Sequence, residues 1–283
     1  MKYNHFLKLL SFTDKLRFSI GVMSEKLVLK GKQVQELKTY RNMLLNIQQL
    51  GFSINFKEKE VILNKENTTL FLRQNSSDID VFNQVFVREE YLPLIDCVVA
   101  NNFPVNTIID AGSNIGLTSA KFLQYFGGAK IICLEPDSGN FLQIQKNLAA
   151  HKQQITALQL ALWNKQEKLY VNTSFRDGKE WGRSVSSEAK NQDEGIDSIT
   201  FEVLIEQHHI TRIDILKIDI EGSEAIIFKK ENNLEFLEIT KIMAIEIHDE
   251  FNCREEIYEI LRSKNFVLFN AGELTIAINE SLR

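Results

Sequence analysis

The sequence predicts an α/β protein with a mostly parallel β-sheet. Its second half alternates short aliphatic and β-branched runs with segments of helical periodicity, which predicts parallel strands joined by right-handed helical crossovers. Five strand-like runs lie at residues 107–109, 130–134, 155–160, 213–218 and 242–247. Two more, 266–269 and 274–278, flank the turn-forming segment 270–273 and predict a closing antiparallel hairpin. We therefore expect a seven-stranded sheet.

The first hundred residues follow other patterns. Residues 1–50 have apolar positions at helical spacing and predict a helical N-terminal extension. Nine Lys and Arg residues oppose three acidic ones there, so this stretch is expected to be a packed accessory, with peripheral membrane contact as the alternative. Residues 51–100 predict a small hairpin, turning at 64–67, and a helix after Ser77 that leads into a catalytic domain spanning 101–283.

The amino-acid composition argues against some classes of partner and some cellular locations. A formal net charge of -5 argues against binding of a phosphate backbone, so we expect a small-molecule or glycan partner and no nucleic acid. The three cysteines are widely separated and lack metal-clip spacing, which favours a reducing compartment. No apolar run approaches the roughly 18 residues of a membrane span, and no signal peptide is evident, so the expected location is the cytoplasm. Nothing in the pattern indicates an oligomeric state.

The most informative segment is residues 108–118, where a strand stops at Asp110, passes through Gly112 and Gly116, and opens a helix. A strand, glycine-rich turn and helix bind a ligand at the carboxyl edge of such a sheet, and the glycines allow close backbone approach. Asn114 stands where a dinucleotide-binding turn has its middle glycine. Asp110 and Asn114 suit the amino acid moiety of S-adenosylmethionine, although a nicotinamide cofactor remains an alternative.

Two later strand ends add to this cofactor site. Glu135 ends the next strand, nineteen positions after Gly116, where a carboxylate can accept hydrogen bonds from ribose hydroxyls. The alternative role for Glu135 is a helix cap, for which Asp137 is better placed. Leu162, at the end of the third strand, is expected to line the adenine slot; core packing alone explains the neighbouring Trp163.

Candidate catalytic residues lie at the ends of the fourth and fifth strands. Asp219 ends the fourth strand, where it would face both cofactor and methyl group, and Glu221 follows it; Glu246 and His248 end the fifth. A neutral His248 could act as general base, or Asp219 and His248 could join a divalent-metal site. Glu246 and His248 are also expected to face the acceptor. In the alternative reading, Glu221 caps a helix and Glu246 fixes a loop.

A long polar segment separates the third and fourth strands. Residues 172–197 lack periodicity, and loops of this length are usually lids or disordered. We expect a lid facing the acceptor, with Trp181 stacking on a sugar face; disorder is the alternative.

Over most of residues 70–280 the sequence resembles the FkbM family of S-adenosylmethionine-dependent methyltransferases. Besides the cofactor turn, the matching features are Arg73, residues 76–78, 81–86, 90–91, 161–164, 217–224 and 246–248. The resemblance implies a Rossmann-like class I methyltransferase fold and methylation of a hydroxyl on a sugar, glycan or polyketide-like molecule. The alternatives are a cofactor-binding scaffold protein without catalysis and, with less support, a nicotinamide-dependent oxidoreductase.

Overall fold

A computed structural model describes residues 16, 19, 32–57, 59–74, 76–172, 184–187 and 195–282. Most of the basic N-terminal stretch therefore lies outside the described residues, as does Trp181. Contacts divide the chain into two units, Met1–Arg88 and Glu89–Arg283. The second unit begins before the predicted residue 101, because helix α3 (Leu92–Ala100) packs against a strand of the large sheet. In the described part of the chain, no helix has both the length and the apolar character needed to cross a membrane.

The first unit contains a helix, a three-stranded antiparallel sheet and a second short helix. Its elements are α1 (Lys32–Gln49), β1 (Ser53–Lys57), β2 (Glu60–Lys65), β3 (Thr68–Arg73), α2 (Asp78–Phe82) and a π-helical turn (Asn83–Val87). The sequence predicted one hairpin here; β2 and β3 form it with its turn at Glu66 and Asn67, and β1 adds a third strand. The rings of Phe52, Phe82 and Phe86 pack on one another and are buried.

The second unit is built on the expected seven-stranded sheet. Its strands are β4 (Thr107–Ala111), β5 (Lys130–Leu134), β6 (Ile155–Leu158), β11 (Ile213–Ile218), β12 (Thr240–Glu246), β13 (Phe266–Ala271) and β14 (Leu274–Asn279). Their order in the sheet is β13-β14-β12-β11-β4-β5-β6. Strand β14 runs antiparallel to both its neighbours, and the pairs among β12, β11, β4, β5 and β6 are parallel. The mostly parallel sheet with a closing hairpin is confirmed.

Helices connect the parallel strands of this sheet. They are α4 (Leu117–Tyr125), α5 (Ser138–Asn147), α6 (Phe201–Gln207), α7 (Glu224–Ile227) and α8 (Arg254–Ser263), with shorter helical turns at Ala149–His151, Glu235–Ile239, Asp249–Phe251 and Glu280–Leu282. All six residues of β11 are buried, as expected of a central parallel strand covered on both faces. Polar residues become partly exposed only where β11 and β12 end, at Asp219 and Glu246.

A small second sheet lies between the third and fourth parallel strands along the chain. Its order is β7-β10-β8-β9, from β7 (Ala161–Leu162), β8 (Lys168–Asn172), β9 (Ser184–Ser186) and β10 (Ile196–Ile199). The predicted third strand, 155–160, is shorter than expected because the chain leaves the large sheet after Leu158 and enters β7. The predicted irregular segment 172–197 includes β9 and the start of β10, so its described residues are partly ordered by strand pairing.

Candidate active site

The loop after β4 lies tightly between the ends of β5 and β11. The backbone N–H groups of Gly112 and Ser113 donate to the Leu134 carbonyl at 3.0 and 2.9 Å. Gly112 has a φ of 77°, and a Cβ there would lie 1.7 Å from the carbonyl oxygen of Asp219. Only glycine fits this close approach. Gly116, with a φ of 81°, begins α4, where a Cβ would lie 3.2 Å from Leu148.

Asp110 lies behind this loop and not in the cleft. Its carboxylate is fully buried, accepts a hydrogen bond from Ser119 Oγ at 2.7 Å and lies 3.4 Å from Lys217 Nζ. Lys217 in turn donates to the Gly112 carbonyl at 2.5 Å. Asp110 therefore positions the loop through Lys217, because a buried ammonium requires a carboxylate partner, and its predicted contact with the cofactor stays a prediction.

Lys217 belongs to the matching segment 217–224 but was not among the predicted site residues, although a lysine inside an apolar strand run was a usable signal. Burial acts to lower the pKa of Lys217, but Asp110 and Asp219 outweigh it and the pKa is raised. The side chain is thus an ammonium that holds together the ends of β4 and β11.

A cleft opens at the carboxyl ends of β4, β5 and β11. The residues around it include Gly112, Asn114, Leu134, Glu135, Asn140, Leu160, Ala161, Leu162, Asp219 and Glu221. Five of the predicted cofactor residues, Gly112, Asn114, Glu135, Leu162 and Asp219, are brought together there. Asp110 and Gly116 are not among its lining residues.

Glu135 presents a buried carboxylate at the cleft. Its oxygens accept hydrogen bonds from the backbone N–H groups of Asn114 at 2.8 Å and Asp137 at 3.0 Å. Burial raises the pKa of Glu135 to about 8. As expected, Asp137 and not Glu135 caps α5, since its side chain accepts from the Asn140 N–H at 2.8 Å. Glu135 remains available to a ligand in the cleft.

Two further side chains of the cleft region have contrasting roles. Asn114, which lines the cleft, has a buried Oδ1 that finds no hydrogen-bond donor within the described part of the chain. Trp163 packs against Ala161 and Leu169, and its ring N–H donates to Glu167 at 2.8 Å. Trp163 is thus a core residue, while Asn114 presents an acceptor to a ligand.

The predicted catalytic residues form a second cluster beside the cleft, centred on His248. His248 is buried, with a relative solvent exposure of 2%. His248 Nδ1 donates to Glu224 Oε1 at 2.5 Å, and the same oxygen accepts from the His248 backbone N–H at 3.0 Å. On the other side of the ring, Nε2 lies 3.3 Å from Glu221 Oε2 and 3.6 Å from Glu246 Oε1.

These carboxylates set the charge of the ring. Burial acts to lower the pKa of His248, but the contacts with Glu221 and Glu224 outweigh it and raise the pKa to about 11. With carboxylates at both nitrogens, His248 holds two protons unless a cation replaces the one on Nε2. The raised pKa favours a protonated ring over the predicted neutral one, and the predicted role of His248 as general base stays a prediction.

The pKa values of two other titratable groups nearby, Glu246 and Tyr91, are also raised. Burial, with Asp219 as the next cause, raises the pKa of Glu246 to about 8. Burial and then Asp219 also raise the pKa of Tyr91 well above its usual value, so this buried phenol stays protonated. The cluster therefore combines acidic oxygens with a neutral phenol next to the cleft.

The backbone after β11 aims Glu221 at the histidine. Glu221 has a φ of 51° and Gly222 a φ of 96°, and a Cβ on Gly222 would lie 2.2 Å from the Phe251 ring. Left-handed residues other than glycine are strained and are often found at functional sites. Glu224, which also accepts from the Gly222 N–H at 3.0 Å, was not among the predicted site residues. The signal available was the run of three acidic residues at 219, 221 and 224 after a buried strand.

Two groups of side chains have the spacing needed to hold a metal ion. The ligand atoms of Asp219, Glu221 and His248 lie within 4.8 Å of one another, as do those of Glu90, Glu246 and Glu273. The first group contains both residues of the predicted alternative metal site, Asp219 and His248.

The sheet order, the closing hairpin and the cleft at the carboxyl edge together define a class I methyltransferase fold. Residues 110–268 match the family model described as the Methyltransferase FkbM domain. The chain belongs to the FkbM methyltransferase family, which confirms the resemblance seen in the sequence. The class of activity is therefore methyl transfer from S-adenosylmethionine.

Several known proteins are similar to the chain. Methyltransferase sdnD of Sordaria araneosa is 27% identical over 202 residues, covering 60% of this chain and 77% of that protein. Among solved structures, a putative rRNA-methylase from Clostridium thermocellum is 11% identical with a TM-score of 0.42, covering 67% of this chain and 94% of the other. The N-terminal domain of human METTL16 in complex with SAH is 11% identical with a TM-score of 0.41, covering 83% and 78%.

Proposed function

We propose that the protein methylates a hydroxyl oxygen of a small polar molecule, such as a sugar, a glycan or a polyketide-like compound. The observation that carries this proposal is the position of Asp219, which lines the cleft and also belongs to the carboxylate cluster around His248. A hydroxyl is a poor nucleophile until its proton is removed, and carboxylates beside the cleft are suitable acceptors. The net charge of -5 favours a small acceptor over a nucleic acid.

The cleft suits the cofactor of this class. The orphaned Asn114 Oδ1 fits the ammonium of its amino acid moiety, the Glu135 carboxylate fits the ribose hydroxyls, and Leu160 and Leu162 supply an apolar wall for the adenine. When bound, S-adenosylmethionine supplies an electrophilic methyl group on a sulfonium. The glycine at 112 keeps side-chain atoms out of the space between the loop and Asp219.

Asp219, Glu246 and His248 have separate roles in the proposed reaction. We assign to Asp219, at the cleft, the role of orienting the acceptor, and to Glu246, which lies 3.6 Å from His248, the role of receiving the hydroxyl proton. His248 is a positioning residue, since its ring is held by Glu224 and faces Glu221. Correct placement of acceptor and methyl donor can supply several kcal/mol of the rate enhancement.

Calorimetric titration with S-adenosylmethionine, S-adenosylhomocysteine and NAD tests the cofactor assignment. We expect binding of the two sulfur compounds and none of NAD. Binding of NAD alone would overturn the proposal in favour of an oxidoreductase. Absence of all binding by folded protein would also overturn it.

Turnover with a labelled methyl donor and a panel of hydroxylated acceptors tests the reaction. We expect Glu246→Gln to lower kcat by about 10²–10⁴-fold, as for loss of a general base, while S-adenosylhomocysteine affinity is retained. The matched control is His209→Asn, because His209 is exposed and its φ of 51° is one that asparagine accepts. Equal loss of cofactor affinity and turnover in Glu246→Gln would contradict the division of roles, and cofactor binding without any methyl transfer would favour a scaffold protein.

A further inference from the structure

We infer that Asp219, Glu221 and His248 form a binding site for a divalent cation. Their ligand atoms lie within 4.8 Å of one another, and two of the residues line the cleft. The inference of a cation site depends on these three residues alone. A role of the cation in binding the acceptor oxygen rests on the proposed methyl transfer to a hydroxyl.

The first observation is the state of the histidine ring. His248 is 2% exposed, and within the described residues its Nε2 makes no hydrogen bond of acceptable geometry. Nitrogen Nδ1 is fixed on the buried carboxylate of Glu224 at 2.5 Å. Histidines that bind metals usually donate their other ring N–H to a carboxylate in this way, which fixes the tautomer and turns the free nitrogen to the ion. His248 thus has the orientation of a metal ligand.

The second observation is the spacing of the ligand atoms. His248 Nε2 lies 3.3 Å from Glu221 Oε2. Two ligands at about 2.1 Å from an ion and at right angles to each other are about 3 Å apart, so this pair has the separation of neighbouring ligands. The Asp219 carboxylate lies within 4.8 Å of both.

The third observation concerns how Glu221 is held. Its φ of 51° and the adjoining left-handed Gly222 turn the side chain toward His248. A Cβ on Gly222 would lie 2.2 Å from the Phe251 ring, so the loop cannot accommodate another residue there without shifting. The loop is therefore built around the inward orientation of Glu221.

The ligand types indicate the class of ion. Two carboxylates and one imidazole suit first-row divalent cations such as Mn²⁺, and three protein ligands leave coordination positions open. Asp219 and Glu221 line the cleft, so those positions are accessible from the cleft. If the acceptor is a hydroxyl, a cation there would bind its oxygen and lower its pKa. The second acidic group lacks an imidazole, and its Glu273 is exposed.

Titration of the purified full chain with Mn²⁺, followed by electron paramagnetic resonance, tests this inference without cofactor or acceptor. We expect one bound ion per chain, with nitrogen coupling in the spin-echo spectrum from the imidazole. Glu224→Gln should weaken Mn²⁺ affinity about 10–100-fold, as expected for loss of the carboxylate that orients a ligating histidine. Asp219→Asn and Glu221→Gln should weaken it as well, and Glu273→Gln should leave it unchanged.

Two results would overturn the inference. One is the absence of Mn²⁺ binding by folded wild-type protein at millimolar concentration. The other is loss of binding in Glu273→Gln with retention in Glu221→Gln, which would move the ion to the other acidic group. Thermal unfolding of each variant establishes that it is folded. If His248→Asn or Glu224→Gln does not fold, Glu221→Gln gives a second test, because Glu221 lies at the edge of the cleft. Titration with S-adenosylhomocysteine separates this outcome from failure of the proposed function, because cofactor binding and Mn²⁺ binding are measured independently.

Discussion

Substitution of Gly112 by alanine should disable the cofactor loop. A Cβ at this position would lie 1.7 Å from the Asp219 carbonyl oxygen and 2.8 Å from its carbonyl carbon. Both are backbone atoms, so the ends of β4 and β11 must separate by at least about 1 Å. This movement strains the bonds from Lys217 to the Gly112 carbonyl, at 2.5 Å, and from the Asp219 N–H to the Ala111 carbonyl, at 3.1 Å.

Two contributions set the size of the effect. The left-handed φ of 77° costs an alanine about 1–2 kcal/mol, and the overlap adds about 1–3 kcal/mol. Gly272→Ala is the matched control, because Gly272 has a φ of 65° but a Cβ there would meet no atom within 4 Å. The control should thus show only the left-handed cost.

Thermal unfolding and calorimetric titration with S-adenosylhomocysteine measure the two variants side by side. Gly112→Ala should unfold at a clearly lower temperature than Gly272→Ala and bind the ligand at least about tenfold more weakly, since misplacement by about 1 Å can cost two orders of magnitude in function. Equal stability of the two variants, with unchanged affinity, would refute the reasoning that close approach of Asp219 requires glycine.

Three further changes give independent checks. For Glu135→Gln, urea unfolding should show a difference in stability from wild type that depends on pH. Burial raises the pKa of Glu135 to about 8 in the folded protein, above its unfolded value. The stabilising contribution of Glu135 is therefore full below about pH 4.5 and is lost as the pH rises through 8, by up to about 1.4 kcal/mol per pH unit. Parallel stability curves of the two proteins would contradict this. For Asp110→Ala, the buried ammonium of Lys217 loses its nearer carboxylate, at 3.4 Å, and keeps only Asp219, at 3.7 Å, so the variant should lose up to about 3–5 kcal/mol in unfolding free energy and bind the cofactor more weakly. Lys217→Met with Asp110→Asn should recover part of the stability, and no recovery in this double variant would argue against the pair. For Asp137→Ala, loss of the helix cap should cost about 1 kcal/mol with cofactor affinity kept within a few fold, and a larger effect on affinity would place Asp137 in the site.

The candidate site was predictable where a strand end alone determines the position of a side chain. Glu135 and Asp219 terminate parallel strands, and the carboxyl ends of such strands meet at one edge, so both were expected in the cleft and lie there. Asp110 also terminates a strand, yet it lies behind the loop. Its position depends on Lys217, which comes from a strand more than a hundred residues later, and no local pattern connects the two.

The charge of His248, like the position of Asp110, could not be predicted from local sequence patterns. Glu221, Glu246 and His248 come together as expected for residues that follow adjacent parallel strands, although Glu221, with a φ of 51°, does not continue the alternation of its strand. The protonation state depends on the burial of the ring and on the 2.5 Å contact with Glu224, and both arise only from packing.

The sequence by itself therefore determined the α/β class, the seven strands, the closing hairpin and the family, because hydrophobic periodicity and short turn motifs are local properties of the chain. Tertiary structure alone decided the third strand of the first unit, the role of Asp110 and the proton on His248. Each of these depends on atoms that are far apart in the chain and close in space, where burial and Coulomb interactions set the outcome.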